Sequence, residues 1–99
     1  MFLINVSVSV DITSGSDRTI ARAWLQRDTG SGLGYMDVNG TIFFIYCRQQ
    51  EEGENTGPSN TILNVSNAHK FRVRVLPHAG NDTLQTIAQA CSLTISELA

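Results

Sequence analysis

Ninety-nine residues suffice for one hydrophobic core and exclude a large multidomain enzyme. With 41% hydrophobic and 16% charged residues the chain is too apolar to be disordered, and Ser, Thr, Asn and Gln supply much of its polarity. A formal net charge of -2 removes the broad basic field that draws a duplex or an anionic membrane, so no nucleic-acid or membrane partner is expected. The longest apolar runs, such as 41–47, fall far below the roughly 20 residues of a membrane helix. Residues 1–10 have no basic n-region, and Asn5, Ser7 and Ser9 interrupt their apolar residues, so neither a signal peptide nor a transmembrane segment is expected.

In chain order, Phe2, Ile4, Val6, Val8, Val10 and Ile12 alternate with mostly polar neighbours, which predicts a long half-buried strand. Residues 13–17 have turn chemistry. Over 18–27 two readings compete. Ile20, Ala21, Trp24 and Leu25 suit a helix capped by Ser16, whereas Ala21, Ala23 and Leu25 alternating with Arg22, Trp24 and Gln26 suit the return strand of a hairpin, the reading favoured here. Residues 29–34 are glycine-rich and read as a loop. Asn39-Gly40 between 35–38 and 41–48 predicts a second hairpin. Phe43, Phe44, Ile45 and Tyr46 are apolar on both faces, which predicts a central strand. Residues 49–60, with Glu51, Glu52, Glu54, Gly57 and Pro58, read as a mobile acidic surface loop. Strands are expected again over 61–66 and 71–76, the latter with Phe71, Val73 and Val75 alternating with Arg72 and Arg74.

Beyond Leu76 the period shifts towards 3.6. Asp82 is placed to cap a helix with Gln85 at its fourth position, and Leu84, Ile87, Ala88 and Cys91 share one face; Thr94-Ile95-Ser96-Glu97 then forms a capping box. The run Gly80, Asp82, Thr83, Leu84, Ile87, Ala88, Leu93, Thr94, Glu97, Leu98 resembles a LysM module, a strand–helix–helix–strand domain. Asn81 is inserted relative to that family's pattern, Cys91 stands where an aromatic is common and Ser92 where glycine is common, and the final strand is missing. The resemblance covers about a third of the chain. With the strands read over 1–69 as a mainly antiparallel β module, a small sandwich or barrel, an incomplete strand–helix–helix LysM-like unit over 70–99 implies an α+β fold, as two units or one continuous domain. It also implies a glycan-binding wall made by Gly80, Asn81, Asp82, Thr83 and Leu84.

Candidate chemistry is sparse. Cys47 and Cys91 match no zinc spacing and read as reduced packing residues, with a bridge between them as the other case. His69 and His78 stand in no ligand or nucleophile spacing and read as loop residues, so neither a metal nor a cofactor is expected. Trp24, Tyr35 and Tyr46 are the candidates to line a sugar platform; Tyr46 is expected in the core and Tyr35 at the surface, with Trp24 unassigned. A low-charge, Ser/Thr/Asn-rich β module leading into a LysM-like unit is similar in layout to small tail and baseplate proteins of bacteriophages and contractile particles. The expectation is therefore a non-enzymatic structural subunit of a virion or particle assembled in the host cytoplasm, with homo- or hetero-oligomeric protein partners. A module binding peptidoglycan or chitin is the alternative. A helix-turn-helix DNA binder, suggested by Ala88, Ser92 and Leu98, is opposed by the lack of Lys or Arg after Arg74.

Overall fold

The computed structural model describes residues 1–14, 19–47, 55–79, 83–86 and 91–98, and every regular element in them is a strand. The strands are β1 (Phe2–Ser14), β2 (Thr19–Asp28), β3 (Met36–Asp37), β4 (Phe43–Cys47), β5 (Asn55–Leu63), β6 (Lys70–Ala79), β7 (Thr83–Thr86) and β8 (Ser92–Glu97). At about 3.3 Å per residue, the 13 residues of β1 run nearly the whole 44 Å long axis.

Two antiparallel sheets pack face to face, each built around one long strand. In the first, β1 pairs β5 along one side from Phe2 to Val10, while β8 and β7 occupy successive stretches of the other side, opposite 2–7 and 10–14. In the second, β2 pairs β6 along one side, while β4 and β3 share the other, opposite 19–23 and 26–27. The core follows from the two-residue period. Ile4, Val6, Val8 and Val10 of β1 face Ala21, Ala23 and Leu25 of β2 and Ile45 of β4, and all are buried.

Both interrupted flanks leave backbone groups of the central strand without a ladder partner, and a side chain fills each gap. At the β3–β4 break, Leu25 N–H donates to Thr41 Oγ1 (3.1 Å), Thr41 Oγ1 donates to Val38 O (2.7 Å), and Val38 N–H donates to Leu25 O (2.9 Å). At the β7–β8 break, Cys91 Sγ accepts from Ser9 N–H (3.4 Å) and donates to Ser9 O (3.6 Å). Buried backbone groups need such partners, which explains why a nonstrand residue, Thr41, is 1% exposed.

The expected α+β class is therefore corrected to all-β. Where the LysM resemblance implies two helices, Thr83–Thr86 and Ser92–Glu97 are strands. Alternating Leu93 and Ile95 between Ser92, Thr94 and Ser96 satisfies a two-residue period as well as a capping box, and the open edge of β1 decides between them. Residues 19–28 do form a strand, but β2 crosses to the other sheet and makes no hairpin with β1. Asn39-Gly40, with Gly40 at φ 77°, turns the chain out and back along the same strand, β2, so β3 and β4 do not pair. β4 is a flanking strand, not a central one. Residues 55–60, expected in a loop, belong to β5, where Gly57 and Pro58 oppose Val8 and Ser7 from a flanking strand, the position in a sheet that tolerates proline.

Candidate functional site

The outward face of the second sheet carries a linked set of polar and aromatic contacts. Register places Arg74 beside Trp24, sets Gln26 between Arg72 and Asp37, and sets Arg22 between Leu76 and Phe44. Asp37 Oδ1 accepts from both Trp24 Nε1 and Gln26 Nε2 (2.7 Å each), while Gln26 Oε1 accepts from Arg72 Nε (2.7 Å). The Arg72 guanidinium lies 4.2 Å from the centre of the Tyr35 ring and that of Arg22 5.3 Å from the Trp24 ring, cation–π distances in both cases. The hydrogen bonds from Gln26 and then Trp24 hold the Asp37 carboxyl below its ordinary range, with Arg74 adding to the effect.

Beside Trp24 the strand break opens a notch of about 360 Å³, walled by Arg22, Trp24, Asp37, Asn39 and Ile42. It exists because β3 ends at Asp37 and β4 starts at Phe43, so no strand neighbour covers Trp24 on that side. Within this wall the Nε of Arg22 is shut off from solvent and has no hydrogen-bond acceptor. Next to the notch, Ile42 (51%), Phe44 (54%) and Tyr46 (44%) are exposed in a row.

A second feature is the seam between the sheets. On one long side, Ser59 Oγ of β5 donates to Thr41 O beside β4 (3.1 Å) and ties the sheets together. On the other side an open apolar groove of about 310 Å³ separates β6 from β8, lined by Val8, Val73, Val75, Cys91 and Leu93 with Ser7 and Ser92. Leu93 and Ile95 stand opposite Val6 and Ile4 on the core-facing side of the first sheet, yet they are 38% and 44% exposed.

Of the expected glycan wall, Thr83 and Leu84 pair with Ser14 and Ile12 of β1, while Gly80, Asn81 and Asp82 lie outside the described residues. Glu51, Glu52 and Glu54 also lie outside them. Tyr46, expected in the core, is exposed, and Tyr35, expected at the surface, is half-buried under Arg72. His69 is half-buried and closes a turn, accepting from Ser66 N–H through Nδ1 (3.3 Å). Cys91 is a free thiol, so no bridge joins it to Cys47, and it is half-buried. Among the described residues no group of three His, Cys, Asp or Glu is placed to hold a metal, and no helix is long and apolar enough to cross a membrane. Sequence reasoning missed Arg22, Gln26 and Asp37 as a cluster. Their signal was present in the alternation of β2 and β6: once 21, 23 and 25 and 71, 73 and 75 turn inward, the arginines share the other face. Comparison of the chain with protein-family models, with curated proteins and with solved structures finds no match, so functional argument rests on this geometry.

Proposed function

We propose that the chain is a non-enzymatic assembly subunit in which an extended segment of a second copy enters the open seam between β6 and β8. The observation that supports this is the asymmetry of the two seams. One is tied by Ser59 and Thr41, whereas the other leaves Leu93 and Ile95 uncovered beside the edges of two strands that each pair with one neighbour among the described residues. A strand is the occupant that satisfies both demands of such a groove, since its backbone extends the ladder and its alternate side chains fill the apolar lining. The tail or baseplate of a phage or contractile particle is a setting that uses such contacts.

Light scattering across a concentration series, with hydrogen exchange on the assembled and dilute protein, tests the reading. Assembly is expected to protect β8 amides, and Leu93→Asp with Ile95→Asp is expected to leave a folded monomer, because both side chains are already exposed. A stable wild-type monomer that binds N-acetylglucosamine oligomers in calorimetry would overturn it in favour of a glycan module.

A further inference from the structure

We infer that Asn39, in the exposed turn that carries the chain from β3 to β4, is a site of spontaneous deamidation, where the side-chain amide is lost through a succinimide and part of the product re-forms the backbone through an isoaspartyl link. The reaction is internal to the chain and needs no co-reactant beyond water and hydroxide.

The sequence singles out the position. Of the seven asparagines in the chain, Asn39 alone precedes glycine. The others precede valine, threonine, alanine or aspartate, whose side chains crowd the amide nitrogen that must attack. The structure supplies the remaining conditions. Asn39 and Gly40 are both exposed, Gly40 lies at φ 77°, and a Cβ built on it meets nothing within 4 Å, so the reacting atoms have open space around them. Among the described residues neither the Asn39 side-chain amide nor the Gly40 N–H has a hydrogen-bond partner to hold it. The flanks are fixed instead: Val38 N–H donates to Leu25 O, and Thr41 Oγ1 joins Val38 O to Leu25 N–H. Two free residues between two anchored ones can change conformation at little cost to the fold.

The step balances within the turn. The Gly40 backbone nitrogen, having given its proton to hydroxide, bonds to Asn39 Cγ; the bond from Cγ to Nδ2 breaks, and the departing nitrogen takes a proton and leaves as ammonia. Water then opens the ring at one of its two carbonyls. Cleavage of the nitrogen's bond to Cγ gives an ordinary aspartyl residue, whereas cleavage of its bond to the main-chain carbonyl carbon leaves the chain running through Cβ and Cγ, one atom longer. Either product adds a negative charge to a notch already walled by Asp37 and Arg22. The longer backbone has a second effect. Val38 and Thr41 are both held to Leu25 across the β3–β4 gap, so an extra atom between them displaces the Thr41 hydroxyl that fills that gap.

Incubation of the full chain in mildly alkaline buffer, followed by peptide mapping in a mass spectrometer and methyl transfer by an isoaspartyl methyltransferase, tests the site. Conversion at Asn39 is expected to run about tenfold or more faster than at Asn5 or Asn64, each of which precedes valine, and to quicken as pH rises. In the folded chain it should stay within about tenfold of its rate in denaturant, since the turn has no hydrogen bond at these two residues that must open first. Asn39→Gln should abolish the conversion. Asn39→Asp supplies the charge without the longer backbone, so the isoaspartyl fraction should melt below both fresh wild type and Asn39→Asp. Amide loss spread evenly over the asparagines, or a folded chain that protects Asn39 beyond the stated range, would overturn the site. An isoaspartyl fraction that melts with fresh protein would overturn its link to Thr41.

Discussion

Thr41 does at one position what a strand residue does elsewhere: its hydroxyl takes the Leu25 N–H and gives its proton to Val38 O. Thr41→Val keeps the shape and strands both partners, so a loss of about 1–3 kcal/mol is expected in denaturant unfolding, whereas Thr41→Ser should retain most of it. Cys91 plays the same part at Ser9 with a weaker donor and acceptor. Cys91→Ala should therefore cost less than Thr41→Val in the same measurement. Asp37 links pH to the outer face. Its folded carboxyl is lowered by Gln26 and Trp24, so the stability it contributes is present above the ordinary carboxylate range and is lost as pH falls through its lowered folded value. Melting temperature against pH should show a shallower acid decline for Asp37→Asn than for wild type.

At the scale of elements, protection should follow pairing. β1 and β2 have ladder partners on both sides, while β5, β6 and β8 each pair with one strand among the described residues. Hydrogen exchange of dilute protein should then be slowest in β1 and β2 and fastest in β8, all of whose residues are exposed. The same distinction explains what was legible in the sequence. β1 and β6 were readable because Phe2, Ile4, Val6, Val8, Val10 and Ile12, and Phe71, Val73 and Val75, alternate strictly over a long run of sequence. β8 has six residues, too few to separate a period of two from 3.6, and its Thr94 and Glu97 also satisfy a helix cap. Asn39-Gly40 was read as a hairpin since the local chemistry of the turn is the same; the difference lies in Thr41 bonding to Leu25, a contact 16 residues away that no local pattern encodes. Phe43 to Tyr46 read as central because apolar residues on both faces usually mean cover on both faces. Here Phe44 and Tyr46 are exposed on the outward side of the second sheet, so apolar character on both faces of β4 did not mean cover on both.

At the scale of the molecule, the core is a single layer between two sheets, and Ile4 sits in it fully buried. Ile4→Ala should cost about 2–5 kcal/mol in chemical denaturation, a cost felt by both sheets because each supplies one wall of the same layer. Both sheets should then unfold in one transition, with coincident fluorescence and circular dichroism curves.

The pairing of β1 with β8, closed by Leu98 N–H donating to Met1 O (2.9 Å), ties the first strand to the last. Among the described strands β1 is made first, and its 2–7 edge gains its second neighbour only when β8 is made. Its row of Ile4, Val6, Val8 and Val10 meets the covering residues of β2 and β4 early, whereas the backbone edge of 2–7 stays open until 92–97 are made, so the face is covered long before the edge is closed. Nascent chains arrested before residue 91 should leave the 2–7 edge open to protease and to added strands, and resistance there should arrive once β8 emerges. Pulse proteolysis of a ladder of arrested chains reads this out directly.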